Sequence, residues 1–371
     1  MTKQAPYRAD HVGSFLRPRA LLEAREAFKA GLIDKAALRA AEDEAIRGVI
    51  QLQEDLGFKG VTDGEFRRTF FHTDFLLQLD GVDEGGGTQV HFHKHGGEEL
   101  EYAPPIMLIT GKIRHAKDIQ RADYEFLAAN TSARAKVTIP SPTMLHFRGG
   151  REAIDAAAYP DMEEFYADLA AAYRAEIASL AEAGCRYLQL DDTNFAYLCD
   201  DVQRENARKR GMDPDDLPRL YARIINDAIK DRPDDMTVCV HLCRGNYRSS
   251  WAAEGGYEPV AEVLFNELAV DGYFLEYDDA RSGDFAPLRF LPKGKTVVLG
   301  LVTTKLGDLE TPADIKRRID GAAQFAPLDQ LALSPQCGFS STVHGNDVSF
   351  AQQSDKLKLV MDVATDVWGT I

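Results

Sequence analysis

The sequence predicts an α/β fold, an eight-stranded parallel (β/α)8 barrel of the TIM-barrel class. Three observations predict it. Short apolar runs alternate with long amphipathic stretches along the chain. Eight such runs can be picked out. Polar residues able to carry chemistry gather at their C-terminal ends: Ser14, Glu65, Asp191, Asp192, His241, Cys243, Glu276 and Cys337. That end is where barrel enzymes keep their sites. At 371 residues the chain matches two average domains, but barrels with insertions reach this length as one unit, so a single domain over residues 1–371 is expected.

Taken in order, the first run is "ADHVGSF" at 9–15, and a helical stretch over about 36–56 leads to the second, "GFKGVTDGEF". The third is "AKVTIPSPTML" from 135, and the fourth "CRYLQLDDT" from 185. Between them Phe165, Leu169, Tyr173 and Ile177 recur at helical spacing in a stretch that stops at Gly184. The later runs are "TVCVHLCRG", "GYFLEYDD", "TVVLGLVTT" and "LALSPQCGF". Before the last, "TPADIKRRIDGAA" has Thr311 as N-cap and Pro312 at the first helical position.

One segment breaks the alternation. Residues 80 to about 134, between the second and third strands, place Gly-rich turns around alternating residues, which predicts an inserted β-hairpin followed by a helix. Insertions of this length serve as lids or oligomer contacts, so a homo-oligomer is compatible with the sequence. The insertion carries "HFHKH", a row of His91, His93 and His95. Such a row is more often a solvated or interface surface than a metal site, and it can also meet an anionic group.

Composition narrows the partners. Lysine plus arginine is 43 against 59 aspartate plus glutamate, a net charge of −16, which repels phosphate backbones and argues against nucleic acid. No stretch of about 18 apolar residues is present, so no membrane span is expected. The N-terminal "MTKQAPYRAD" is polar and has no secretory character. Cys185, Cys199, Cys239, Cys243 and Cys337 form an odd, irregular set, which predicts free thiols in a reducing cytoplasm.

The chemistry centres on "VCVHLCRGN". Strand residues i and i+2 share a face, so His241 and Cys243 aim at one point. Glu276 ends the next predicted strand and Cys337 the last. A histidine, a carboxylate and two thiolates suit Zn2+. Two thiolates make the zinc a weak Lewis acid and a good carrier of a further thiolate, and Glu276 is the ligand an incoming thiol can displace. Cys239 also lies two residues from His241, but deeper in the apolar run, and reads as core filling, as do Cys185 and Cys199. Glu65 and Asp191 at the barrel mouth can pair with an ammonium or cap helices. Arg67 and Arg68 can meet a carboxylate or be surface charges. His11 is either a proton carrier or a satisfied strand-end histidine.

Together these residues resemble the cobalamin-independent methionine synthase family, specifically its short, single-barrel members. The resemblance implies His241, Cys243, Glu276 and Cys337, the last in "SPQCGFSS", as zinc ligands. "HVGSFLRP" is similar to the segment that holds the amino-acid moiety of homocysteine, implicating Val12, Gly13 and Ser14. "DGEFRR" and "LQLDD" implicate Glu65 and Asp191 in substrate binding. The family's second, N-terminal barrel is absent. Its catalytic histidine after the seventh strand has no counterpart in "LGLVTTK", which has Thr303 and Thr304, and its folate-packing tryptophan after the third strand is missing from "TIPSPTM".

The expected function is methyl transfer from a donor to the thiol of homocysteine, giving methionine, with Glu276 and His11 as candidate catalytic groups. The alternative is alkylation of another thiol, of the epoxyalkane–coenzyme M transferase or methylcobamide–thiol methyltransferase type. A sulfonate acceptor needs a cationic pocket, whereas Glu65 and Asp191 favour an amino acid. A storage or regulatory metal protein would have a closed shell, and a zinc hydrolase an open, water-bearing one without two thiolates.

Overall fold

Six of the expected strands lie side by side in one parallel sheet. The computed structural model describes residues 5–87 and 89–369; the first four residues of the polar N-terminal stretch, Thr88 in the insertion and the last two residues lie outside that description. In chain order the strands are β1 (Gly60–Val61), then β2 (Asp80–Gly87), β3 (Val90–His93), β4 (Glu99–Tyr102) and β5 (Pro105–Arg114) of the insertion. After these come β6 (Arg134–Ala135), β7 (Val137–Pro140), β8 (Tyr187–Asp192), β9 (Thr237–Leu242), β10 (Gly272–Glu276), β11 (Thr296–Val302) and β12 (Leu331–Pro335). β7 to β12 pair with their sequence neighbours in order, all parallel. Every residue of β8, β9 and β10 is buried, as expected of parallel strands covered on both faces.

The barrel closes through weaker links. β1 pairs with β6 over two residues. The run at 9–15 is not a strand but a single parallel bridge, Ala9 to Leu333. Gly13 is the reason: its φ of +137° turns the backbone out of the ladder. Side chains then take over its backbone groups. Gln189 Nε2 donates to Val12 O at 2.6 Å, and Thr62 Oγ1 to Gly13 O at 2.6 Å. The expected helices are present as Lys35–Leu56, Met162–Glu182 and Pro312–Ala322, capped by the side chains of Asp34, Asp161 and Thr311.

Strand periodicity sets the layers of the barrel interior. Val12, Tyr187, Cys239, Phe274, Val298 and Ala332 form one apolar cluster. Lys136 sits above the Phe274 ring at 4.1 Å and pairs with Asp10 at 3.0 Å, both side chains fully buried. Two residues further along β8, β9 and β10 come Gln189, His241 and Glu276, and two further still Asp191 and Cys243. The apolar plug thus stands directly beneath the polar mouth.

The insertion is one long ribbon. β2 pairs with β5 and β3 with β4, both antiparallel, and the helix Arg121–Asn130 follows. The ribbon bends onto the barrel mouth. His93 and Trp251 exchange backbone hydrogen bonds at 2.7 and 2.9 Å, and Tyr102 stacks on Tyr247 with centroids 4.3 Å apart. No helix among the described residues is long and apolar enough to cross a membrane.

Candidate metal centre and substrate pocket

Four side chains, from the ends of β9 and β10 and from the loops after β9 and β12, meet at the barrel mouth. One ligand atom each from His241, Cys243, Glu276 and Cys337 lies within 4.8 Å of the others, and all four residues are buried. The two sulfurs are 3.5 Å apart, where ligands of a tetrahedral zinc stand roughly 3.3–3.8 Å apart. Neither ring nitrogen of buried His241 has a hydrogen-bond partner of proper geometry, although the Cys337 sulfur is near enough to act on its charge. A buried imidazole with two idle nitrogens is costly unless a further group engages it. Glu276 is restrained from behind: its Oε1 accepts from Arg244 N at 2.9 Å and its Oε2 lies 3.4 Å from Arg281. The donor set and the orphaned imidazole fit zinc.

The charges agree. The bond to Cys243 and, against burial, the neighbouring His241 hold the Cys337 thiol well below its ordinary range. That same bond and burial push Cys243 up. Burial opposes charge on His241, but Cys337, Asp191 and Glu276 raise it to about 9. The surroundings of the paired sulfurs thus favour negative charge at Cys337 over Cys243.

Beside the cluster lies a cavity of about 60 Å³ lined by Val12, Ser14, Glu65, Asp191, His241, Cys243 and Cys337. Glu65 has φ +59°, unusual for a residue with a side chain. Its Oε1 accepts from Thr138 Oγ1 at 3.1 Å, while its buried Oε2 has no hydrogen bond and stands 3.8 Å from the Arg68 guanidinium. Asp191 accepts from Gln189 Nε2 at 2.7 Å, and burial and the Glu65 carboxylate raise it to about 7. Two under-bonded acids facing one cavity await a cation. Gly13 sets the wall: a Cβ there would stand 2.7 Å from Thr138 Cγ2.

Other candidates fall elsewhere. His11 does not line the cavity. It packs edge-on against Phe15 and Phe58, its Nε2 lies 3.1 Å from Gly60 O, and burial lowers it to about 4. Its Nδ1 is buried without a hydrogen bond, and the ring stands among apolar side chains away from the cavity. Asp192, next to Asp191, accepts from the backbone of Asn194 and Phe195, so the helix-capping role falls on it. Arg67 is neither on the surface nor in the pocket, pairing with Asp43 and Asp123 at 2.8 and 2.9 Å. Arg68 is buried, bonded to Thr138 O and 3.8 Å from Glu65. Cys185, Cys199 and Cys239 are buried, free and outside the cluster.

The model of the family described as cobalamin-independent synthase, catalytic domain, matches residues 8–365. The Bacillus subtilis protein YxjH, itself uncharacterised, is 48% identical over 99% of this chain and 96% of its own. A Listeria monocytogenes structure, provisionally named a vitamin-B12-independent methionine synthase, is 40% identical with a TM-score of 0.78, covering 98% of this chain and 99% of that one. The methionine synthase of Pyrococcus abyssi is 26% identical over 88% of this chain and 84% of its own. The chain belongs to the cobalamin-independent synthase family.

As a member of that family it is a methyltransferase of the cobalamin-independent type with a TIM-barrel fold. Its sequence alone did not reveal what the ribbon adds. Phe92, Tyr102 and Pro104 of the insertion line the cavity with Phe70, Tyr197, Tyr247 and Arg148. A second cavity, of about 480 Å³, shares Pro104, Arg148 and Tyr197 with the first and runs between the ribbon and the loop after β7. Phe147 lines it, so an aromatic ring does stand beyond β7, with Arg210 5.3 Å above it. Phe92 and Tyr102, the two large aromatic residues of the ribbon, were the available signal, but nothing local says which surface they cover.

Proposed function

We propose that this barrel is a zinc-dependent thiol methyltransferase that converts homocysteine to methionine. One observation carries the reading: a thiolate-rich metal cluster and two under-bonded buried acids face the same small cavity. Zinc held by His241, Cys243, Glu276 and Cys337 would supply a lowered thiol pKa, so that a sulfur nucleophile exists at neutral pH. Glu65 and Asp191 take the ammonium of the amino acid, and Ser14 with the backbone at Val12 and Gly13 shapes the wall beside it. Glu276 is the ligand whose departure leaves both thiolates and the imidazole in place for an incoming sulfur. The substrate S–H bond breaks with its proton passing to solvent, an S–CH3 bond forms as the donor's bond to methyl breaks, and the donor leaves with that electron pair and takes up a proton. The aromatic walls from the ribbon exclude water from that exchange.

The donor enters from the larger cavity, where Phe147 offers a ring and Arg148 and Arg210 offer charge. The Glu65 and Asp191 carboxylates at the acceptor end disfavour a sulfonate thiol. The free thiols fit a reducing compartment. The test offers the zinc-loaded protein homocysteine with methyltetrahydrofolate, as mono- and polyglutamate, or with methylcobalamin, and measures methionine. Methionine from one donor is expected. No product from any donor, together with no added sulfur at zinc by X-ray absorption when homocysteine is present, would overturn the reading.

A further inference from the structure

The loop after β11, where the family's catalytic histidine has no counterpart, carries a buried cation instead. Lys305 is 1% exposed. Its ammonium donates to Gly245 O at 3.2 Å, Asn246 Oδ1 at 3.1 Å and Ser250 O at 3.0 Å, all neutral oxygens. No carboxylate among the described residues is in ion-pair contact with it. A buried cation without an anion is costly, so its counter-charge has to lie nearby. Gly245 follows Cys243 by two residues. Asn246 in turn donates to Gly338 O at 2.7 Å and to Ser341 Oγ at 3.0 Å, in the loop that carries Cys337. Thr304 reaches the same loop, donating to Gly338 O at 3.1 Å. The segment 304–305 thus clamps both cysteine loops.

We propose that Lys305 is a positioning residue of the metal centre, whose unpaired charge offsets the excess anion of the ligand set while its three bonds hold the cysteine loops at ligand spacing. This rests on the zinc reading above. Two thiolates and a carboxylate outnumber the two positive charges of zinc, and an incoming thiolate adds to the excess. Arg281, the other cation against Glu276, is already shared with Asp278 and Asp279.

The test measures zinc affinity by chelator competition and the sulfur-to-metal charge-transfer band of the cobalt-loaded protein. Wild type is compared with Lys305→Met, which removes the charge, and Asn246→Asp, which sets an anion against it and gives up the amide's donation to Gly338 O. Both variants should bind zinc about 10- to 100-fold more weakly, the range for a lost outer-shell partner. Their charge-transfer bands should move to longer wavelength, because the thiolates lose a stabilising cation. Wild-type affinity, or an unmoved band, in the variant that folds overturns the proposal. A wild-type protein that binds no zinc would instead overturn the function on which it rests.

Discussion

Two histidine-bearing strands sit within reach of the same barrel mouth, and they are built for opposite ends. On β9, His241 is 2% exposed and shares its site with Cys243, Glu276 and Cys337, its ring nitrogens without hydrogen bonds. On β3, the His91 and His93 side chains are 63% and 44% exposed, each facing a glutamate across the ribbon, Glu101 at 3.6 Å and Glu99 at 3.8 Å. His95 lies past the end of β3, 4.0 Å from Asp279. The second set is exposed and faces carboxylates, whereas neither ring nitrogen of His241 has a hydrogen bond among the described residues. Spacing alone does not make a metal site; burial without a partner does.

The largest effect that tests this contrast is at the cluster. Cys337→Ser should lose more than about 100-fold in zinc affinity and nearly all activity, because one of the two sulfurs of the proposed metal cluster is lost. Its circular dichroism should stay that of the wild type, since the barrel core lies beneath the metal layer. Zinc retained at full stoichiometry would remove the distinction between the two strands.

Next in size is the acceptor pocket. Asp191→Asn should raise the KM for homocysteine about 10- to 100-fold, the worth of a charge-assisted hydrogen bond, while bound zinc, read by elemental analysis, stays unchanged. Equal loss of zinc would make Asp191 part of the metal shell. The pH dependence has a defined sign. Burial and Glu65 raise Asp191 from 3.8 to about 7, so between those values the folded chain holds a proton that the unfolded chain has released. Its contribution to stability is present below about pH 4 and is lost as pH rises through about 7. Ammonium binding should run the other way, strengthening as the carboxylate forms. Asn at this position should flatten both trends in denaturation and binding measured across that range.

A smaller effect is expected at the ribbon's dock. Tyr102→Ala removes the stack on Tyr247, worth about 0.5–1.5 kcal/mol beyond its buried area. Turnover should fall several-fold with zinc content intact, as water gains access to the cavity. Smallest of all, replacing His91, His93 and His95 together with glutamine should leave zinc content unchanged and shift stability by no more than about 0.5 kcal/mol. Loss of zinc from that variant would show that the exposed row holds metal after all.

How much of this was legible before folding follows the range of the interactions. His241 and Cys243 were legible because a strand repeats every two residues, and Glu276 and Cys337 because each closes an apolar run of strand length. The helix Pro312–Ala322 announced itself through Thr311 and Pro312. The run at 9–15 misled, since its apolar pattern says nothing about Gly13 leaving the ladder or about Gln189 and Thr62 replacing its hydrogen bonds. His11 was undecidable: the same residue at a strand end can face a cavity or a pair of phenylalanines.

By itself, then, the sequence determined the alternation of strands and helices, the place of the insertion and the composition of the ligand set, because each depends on a local period or on the chemistry of single residues. Only the tertiary structure decided which acids are left under-bonded, which surface the ribbon covers and that Lys305 is buried among neutral oxygens. Those outcomes depend on segments far apart in the chain coming together, where the cost of a missing partner in a dry interior, unwritten in any local pattern, is set.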